Sequence, residues 1–271
     1  MINNLSRILF FLFVFCLCVK GQSYNGRRRG LTEIPEGIPV DVTEIDLSNN
    51  SITTIGPNDF SNFTYLNDLN LANNNISIMH KDAFVGLVNL DHLYLDDNEL
   101  EEAPFLPNLG LINLKYLNLY HNELEEMPIF RISTLEYLYL SGNEIRTIPD
   151  GALDGLVQLK TLVLSISKLE LFLNLRSSTL ESLTLYSVPI RSFPYDALDG
   201  LTNLKDLYLN VDVLECDCRL PWLRRNASIN IYDNYSGPFI QCSSNESGAL
   251  IWLTEVPLDQ LCPVTGEFIK E

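Results

Sequence analysis

Residues able to perform acid–base chemistry are few in this chain of 271 residues. Two of its three histidines correspond to an aspartate in a neighbouring, similar stretch: His121 to Asp97, and His92 to Asp68. These side chains are expected to come close. The chain has no H-E-x-x-H, nucleophile-elbow or Gly-rich phosphate motif, and no calcium-loop signature. An Asp–His contact on an open surface lacks the water-excluding pocket that catalysis needs. We therefore predict that the protein is not an enzyme and uses no metal or other cofactor.

The cysteines indicate an oxidising compartment. Cys16 and Cys18 lie in an apolar run from Ile8 to Val19, which is too short to span a bilayer comfortably and is typical of a secretory signal peptide. We predict a signal peptide at residues 1–21 with cleavage before Gln22, a secreted chain and no membrane span in the mature protein. The four remaining cysteines, Cys216, Cys218, Cys242 and Cys262, are expected to form disulfides rather than a zinc site. Of three connectivities, the short spacing from Cys216 to Cys218 leaves two.

The net charge restricts the partners. It is −17 for the whole chain, and it becomes −19 when Arg7 and Lys20 leave with the signal peptide. So acidic a surface argues against nucleic acid and anionic membranes and favours a partner with a basic or neutral surface.

A repeating pattern positions the remaining candidate residues. Leu90 to Leu100, LDHLYLDDNEL, has the form L-x-x-L-x-L-x-x-N-x-L. Eight copies begin at Val42, Leu66, Leu90, Leu114, Leu135, Leu159, Leu180 and Leu204, with spacings of 24, 24, 24, 21, 24, 21 and 24 residues. The L-x-L centre predicts a short strand, and successive strands stack in parallel about 4.8 Å apart, giving a sheet roughly 34 Å long.

An asparagine column accompanies the leucines and is predicted to satisfy backbone groups of neighbouring turns. It contains Asn50, Asn74, Asn98, Asn122 and Asn143, and then changes to Ser167, Val188 and Asp212. Because Val188 cannot form these bonds, we expect a looser ladder in the last three repeats.

This pattern resembles the leucine-rich repeat signature of extracellular proteins. The resemblance implies an α/β-type solenoid with a curved parallel sheet on the concave face and with loops and short helical turns on the convex face. Residues 42–214 would hold eight repeats. Residues 22–41 resemble an N-terminal cap without its cysteines, so that Ile34, Pro35, Ile38 and Pro39 must seal the first repeat by packing alone. The basic run Arg27 to Arg29 is expected to be a solvated tail.

The segment ECDCRLPWL and the cysteines after it resemble the C-terminal cap of the Slit, Toll and variable-lymphocyte-receptor groups. This resemblance implies a disulfide-bonded cap at residues 215–263, followed by a tail at 264–271. It also implies the pairs Cys216–Cys242 and Cys218–Cys262.

Tyrosines are concentrated on the predicted concave face. Five of them, Tyr94, Tyr116, Tyr120, Tyr137 and Tyr139, fall in repeats three to five and are expected to be neighbours. Tyrosine combines a large, rigid contact area with a polar tip, as binding surfaces require. The predicted ligand-binding residues are Asp68, His92, Tyr94, Asp96, Tyr116, Tyr120, Tyr137, Tyr139, Tyr186 and Tyr208.

Six glycosylation sequons follow the signal peptide. We expect glycans at some of Asn62, Asn75, Asn226, Asn234 and Asn245, and little occupancy at Asn49, at the end of the first strand. Together these features favour a secreted glycoprotein that binds an extracellular protein in immunity, adhesion or developmental signalling. The alternatives are a structural component of the extracellular matrix and a carbohydrate-recognising immune lectin.

Overall fold

A computed structural model describes residues 21–103, 111–165, 175–186, 198–210, 214–215, 229–233, 241–243 and 250–252. The predicted signal peptide therefore lies outside the described residues, apart from Gly21. So do Cys216, Cys218 and Cys262, and of Cys242 only the backbone is described. The predicted disulfide pairing and most of the predicted C-terminal cap are thus not part of the described structure.

The described residues contain fifteen short strands. In chain order they are β1 Gln22–Asn25, β2 Val42–Asp46, β3 Thr54–Ile55, β4 Asp68–Asn70, β5 Ile78–Met79, β6 His92–Tyr94, β7 Tyr116–Asn118, β8 Tyr137–Tyr139, β9 Thr161–Ser165, β10 Ser182–Tyr186, β11 Asp206–Asn210, β12 Leu214–Glu215, β13 Asn230–Asp233, β14 Gln241–Ser243 and β15 Leu250–Trp252.

One parallel sheet dominates the fold. Its strand order is β1-β2-β4-β6-β7-β8-β9-β10-β11-β13, and the eight strands from β2 to β11 lie where the eight repeats predict them. Equivalent repeat positions pair directly: Leu69 lies opposite Leu93, and Leu93 lies opposite Leu117. The prediction of a stacked parallel sheet is confirmed.

The sheet has one more strand at each end than the repeats predict. At the N-terminal end, β1 pairs in parallel with β2, and the chain continues the ladder when the Gly26 amide donates to the Asp46 carbonyl at 2.7 Å. The first repeat is therefore sealed by backbone hydrogen bonds as well as by the packing of buried Ile38 and half-buried Ile34. Sealing by packing alone is thus a wrong prediction.

The basic segment is also more ordered than expected. The Arg29 amide donates to Asn50 Oδ1 at 2.9 Å, and its guanidinium lies 5.7 Å from the centre of the Tyr24 ring. The side chains of Arg27 to Arg29 are exposed, as in a solvated segment, but the backbone of residues 22–29 is held by the sheet and by Asn50. Composition suggested a tail because no apolar period runs through QSYNGRRRG, but an edge strand needs only backbone partners.

The inward-facing leucines form one continuous core. Leu66, Leu90 and Leu114 are fully buried, as are the strand residues Leu69, Leu93 and Leu117. On the outer side of the first repeats, Phe60 stacks on Phe84 with ring centres 6.0 Å apart and contacts Phe63 at 6.2 Å. Each repeat completes its core only with its neighbours, which is the reason why a solenoid is cooperative along its axis.

The predicted asparagine ladder is present in the described repeats. Asn74 donates from Nδ2 to the carbonyls of Leu47 and Leu71, at 3.1 and 3.0 Å, and accepts the amide of Ile52 at 3.1 Å. Asn98, Asn122 and Asn143 repeat this geometry. Ser167, Val188 and Asp212, where the ladder is expected to weaken, lie outside the described residues.

The residue directly before each described asparagine of the ladder has a left-handed backbone conformation. Asn49, Asn73, Asp97, His121 and Gly142 have φ values of 58°, 55°, 54°, 54° and 76°. Residues other than glycine rarely adopt this conformation, so its recurrence shows that the strands of the first five repeats end in the same tight turn.

On the convex side the described chain forms turns and the two-residue strands β3 and β5, which pair in parallel. A parallel bridge joins Glu126 to Thr147 in the same way. In the part of the chain that the structure describes, these turns and bridges occupy the places where short helical turns were expected. No helix long and apolar enough to cross a membrane occurs in the same residues.

Candidate binding surface

Four tyrosines and a histidine meet on the concave face because parallel pairing aligns equivalent strand positions. Tyr116 on β7 lies opposite His92 and Tyr137, the first residues of β6 and β8. Its ring centre is 5.6 Å from His92, 5.1 Å from Tyr94, 6.4 Å from Tyr137 and 5.2 Å from Tyr139. These distances are those of favourable aromatic pairs. We call these five residues the tyrosine cluster.

The last residue of the strand has a different role in different repeats from β2 to β8. Asp46, Asn70 and Asn118 each accept the backbone amide two residues further on, at 2.9, 3.0 and 3.0 Å. Tyr94 and Tyr139 stand at the same position in β6 and β8, where a phenol cannot make this local bond. The side chains of Tyr94 and Tyr139 therefore make no hydrogen bond to the amide two residues further on, and they present aromatic surface on the sheet instead.

The cluster is only partly shielded from water. Tyr137 is 37% exposed, and Tyr94, Tyr116 and Tyr139 are half-buried. Burial raises the pKa of Tyr116 to about 12, with further contributions from Tyr139, Tyr94 and Asp96. Burial likewise raises the pKa of Tyr94 and of Tyr139. The phenols of Tyr94, Tyr116 and Tyr139 therefore remain neutral hydroxyl groups throughout the physiological pH range.

Two carboxylates border the cluster. The pKa of Asp68 is raised, mainly by burial, although neighbouring His92 partly opposes the effect. Burial also raises the pKa of Asp96, and its Oδ1 is buried without a hydrogen-bond partner among the described residues. A charged group that is removed from water without a compensating partner is costly. A hydrogen bond with the backbone of Asp96 opposes the shift of its pKa only in part. The face thus holds two carboxylates that none of the described lysines and arginines pairs with.

The other predicted tyrosines lie apart from this cluster. Tyr120 is 45% exposed, and its ring stacks on His121 at 5.4 Å. Tyr186 is half-buried at the end of β10. Tyr208 stacks on Tyr232 with ring centres 4.6 Å apart and an interplanar angle of 15°.

Tyr232 was missed by the sequence analysis. It lies on β13, which pairs with β11 and places Tyr232 opposite Tyr208. The segment NIYD lacks the repeat template, so only its position in the sheet reveals the residue. Alternation of apolar and polar residues in INIYD is a weak strand signal that could have indicated it.

The predicted pair of Asp97 and His121 is confirmed as a contact. His121 Nδ1 lies 2.9 Å from Asp97 Oδ1, and Asn73 Nδ2 donates to Asp97 Oδ2 at 3.3 Å. The side chains of His121 and Asp97 are 65% and 37% exposed, so the pair lies in water on the rim of the sheet. His92 also lies beside Asp68, as expected, because the two residues are paired across the sheet. Its Nδ1 lies 3.6 Å from Asp91 as well.

Acidic residues line the same rim beyond the strand ends. Glu101, Glu102, Glu123, Glu125, Glu126 and Glu144 border a depression together with Met127 and Ile129. Among the described residues, no group of histidine, cysteine or acidic side chains has the arrangement of a metal site.

The described sequons differ in accessibility. Asn62 is exposed in the turn before β4, away from the concave sheet, whereas Asn49 is half-buried and has a left-handed backbone conformation. Asn75 is exposed, and its Nδ2 donates to Glu99 at 2.8 Å. Asn226, Asn234 and Asn245 lie outside the described residues. Glycosylation stays a prediction.

Comparisons with known proteins agree with the architecture. The leucine rich repeat family model matches residues 41–100 and 128–169. A zebrafish (Danio rerio) protein, leucine-rich repeat and immunoglobulin-like domain-containing nogo receptor-interacting protein 1-B, is 42% identical over 55 residues. This match covers 20% of the present chain and 9% of the zebrafish protein, so it concerns a small part of both.

Proposed function

Because this chain is a leucine-rich repeat protein, we propose that it is a secreted recognition protein that binds an extracellular protein through its concave sheet. Leucine-rich repeat proteins commonly bind proteins, and the zebrafish relative is named as a receptor-interacting protein. Both point to a binding scaffold rather than to an enzyme.

The tyrosine cluster is the observation that carries this proposal. Rings from three adjacent strands contact one another and remain partly open to water. Such rings are already held by their neighbours, so a partner would bury a large area at a small cost in side-chain entropy. Interfaces derive most of their energy from a few central aromatic and arginine residues, and the cluster has this central position in the sheet.

Secretion is supported by the sequence of residues 1–21 and by the cysteines that follow the repeats. Expression in animal cells, followed by N-terminal sequencing of the protein in the medium, tests this part. We expect a mature chain that begins at Gln22. Retention in the cell with an intact N terminus would contradict it.

The binding face is tested with the double variant Tyr116→Ala/Tyr139→Ala. Extracellular proteins are first screened for partners with the wild-type chain, and the affinity for each partner is then measured. We expect the double variant to lose at least about 2 kcal/mol of binding free energy and to be secreted normally. Tyr65→Ala is the matched control, because Tyr65 is 62% exposed and lies outside the sheet strands.

Equal affinity of the double variant and the wild type would overturn the concave-face proposal. Binding to a glycan array in place of any protein, lost in the same double variant, would redirect the proposal to carbohydrate recognition.

A further inference from the structure

Three described lysines that immediately precede strands of the sheet are each paired with an acid. Lys115 Nζ lies 2.9 Å from Asp91, Lys160 Nζ lies 2.6 Å from Glu136, and Lys205 Nζ lies 2.8 Å from Glu181. All six residues immediately precede the sheet strands β6 to β11, so acid and lysine alternate from one repeat to the next. Each lysine thereby has an acidic partner in the preceding repeat, and the row is electrically balanced.

The acids inside the face are not balanced in this way. Asp68 and Asp96 have no ion-pair partner among the described lysines and arginines, and Asp96 Oδ1 has no hydrogen-bond donor there. His92, which is paired with Asp68 across the sheet, also lies 3.6 Å from Asp91, so one imidazole faces two carboxylates. Asp68 is paired across the sheet with His92, two residues before Tyr94 on β6, and Asp96 follows Tyr94 by two residues. Both carboxylates therefore stand beside Tyr94 on the sheet. The surface therefore combines a row of paired lysines and acids with two carboxylates, Asp68 and Asp96, that have no lysine or arginine partner among the described residues.

We infer that the partner inserts an arginine side chain between Asp68, Tyr94 and Asp96. This inference rests on the proposed function and adds the chemistry of the partner's anchor. A guanidinium group stacks on tyrosine faces and forms paired hydrogen bonds to carboxylates. The site offers both groups within one patch, with Tyr116 adjoining the ring of Tyr94 at 5.1 Å.

A compact ammonium group suits this site less well than a guanidinium. Lysine is strongly hydrated and acts as a point charge, whereas the planar guanidinium is weakly hydrated and can contact ring and carboxylate together. The tilted arrangement of Tyr94 and Tyr116, with an interplanar angle of 43°, leaves ring faces in more than one direction. Arginine is also among the residue types that dominate interface energy.

The inference is tested on the full secreted chain with three peptides of equal length: oligoarginine, oligolysine and a citrulline peptide. Citrulline keeps the planar shape of arginine and removes its charge. Dissociation constants are measured by isothermal titration calorimetry at an ionic strength of about 0.15 M, where long-range attraction is screened. We expect oligoarginine to bind most tightly and the citrulline peptide to bind at least about tenfold more weakly.

Matched variants distinguish specific binding of arginine at this site from a general attraction of cationic peptides to an acidic protein. Asp68→Asn/Asp96→Asn should weaken oligoarginine binding about tenfold, and Tyr94→Ala about fivefold. Glu102→Gln/Glu123→Gln removes the same charge from the rim and should change affinity less than about twofold. Thermal melting of each variant verifies that the fold is retained.

Equal weakening by the two carboxamide pairs, or equal binding of the arginine and citrulline peptides, would overturn the inference. Binding of the natural partner to the two double variants then shows whether only the arginine inference fails or the proposed function fails too. If its binding falls in Tyr116→Ala/Tyr139→Ala but not in Asp68→Asn/Asp96→Asn, the concave face binds without an arginine anchor. If neither pair affects it, the proposed function fails as well.

Discussion

The side-chain oxygen of Asn98 accepts a hydrogen bond from the backbone amide of Ile76 at 3.0 Å, across 22 residues of sequence. The amide nitrogen of Asn98 donates at the same time to the carbonyls of Leu71 and Leu95, both at 3.1 Å. One side chain therefore satisfies backbone groups of two successive repeats in a buried position. This relationship explains how a template of leucines and one asparagine can stack without leaving polar groups unpaired.

Asn98→Ala should lower the free energy of unfolding by about 3 kcal/mol. The substitution leaves one backbone amide and two carbonyls without their partner in the core, and each such group costs about 1 kcal/mol or more. Urea unfolding provides the measurement. Asn89→Ala is the control, because exposed Asn89 donates one bond to the Thr64 carbonyl at 2.7 Å; a loss below about 1 kcal/mol is expected there. Equal losses would contradict the role of the ladder.

Gly86→Ala should destabilise the protein more than Gly37→Ala. Both glycines have positive φ, 98° and 79°, so both substitutions incur the left-handed penalty of about 1 kcal/mol. A Cβ atom on Gly86 would also lie 2.6 Å from the Ser61 carbonyl oxygen, whereas one on Gly37 meets nothing within 4 Å. We expect a loss of about 1 kcal/mol for Gly37→Ala and at least twice that for Gly86→Ala. A larger loss for Gly37→Ala than for Gly86→Ala in thermal unfolding would argue against the close packing of Gly86 on Ser61.

Alkaline pH should destabilise the fold through Tyr116. Its pKa is raised to about 12 from an ordinary value of 10.0. Between these values the unfolded chain releases the phenolic proton while the native protein retains it, so stability falls as pH rises through this range. Tyr116→Phe should remove part of this dependence in chemical unfolding measured as a function of pH. An unchanged pH profile in Tyr116→Phe would show that another group is responsible.

Asp96→Asn should leave the neutral protein at least as stable as the wild type. Burial raises the pKa of Asp96, so the ionised carboxylate weakens the native state at neutral pH, and this penalty disappears as pH falls below its ordinary value of 3.8. Because the side chain is partly exposed, we expect a gain of only about 0.5 kcal/mol. Asp46→Asn is the control, since Asp46 already accepts the Ser48 amide at 2.9 Å and should show no gain. A loss above about 1 kcal/mol for Asp96→Asn would contradict this electrostatic argument.

Non-reducing peptide mapping should link Cys216 to Cys242 and Cys218 to Cys262. Each bond would stabilise the C-terminal cap by roughly 3 to 4 kcal/mol in the chain-entropy model, so Cys218→Ser should strongly reduce secretion. A peptide that joins Cys216 to Cys262 would overturn the assignment.

The sequence alone determined the architecture of the repeats. The template places an L-x-L strand in every repeat of 21 or 24 residues, and these leucines are buried together when the strands stack in parallel. The positions of the eight sheet strands β2, β4 and β6 to β11 therefore followed from spacing. The asparagine column followed for a similar reason, since a polar side chain among leucines must bond to nearby backbone groups. The contact between Asp97 and His121 was also predictable, because equivalent residues of adjacent repeats are neighbours.

Other features were decided by tertiary structure. The strands β1 and β13 carry no repeat template, and they pair because each end of the sheet offers unpaired backbone groups. Which tyrosines form the cluster depends on side-chain direction: Tyr116 contacts Tyr94, Tyr137 and Tyr139, while Tyr120 turns to His121. Strand register decides which face of the sheet a residue lies on. The ion pairs of Lys115, Lys160 and Lys205, and the lack of such a partner for Asp68 and Asp96 among the described residues, depend on distances that only the folded chain sets. Sequence periodicity specifies backbone neighbours, whereas the conformations of side chains at a surface depend on all their neighbours at once.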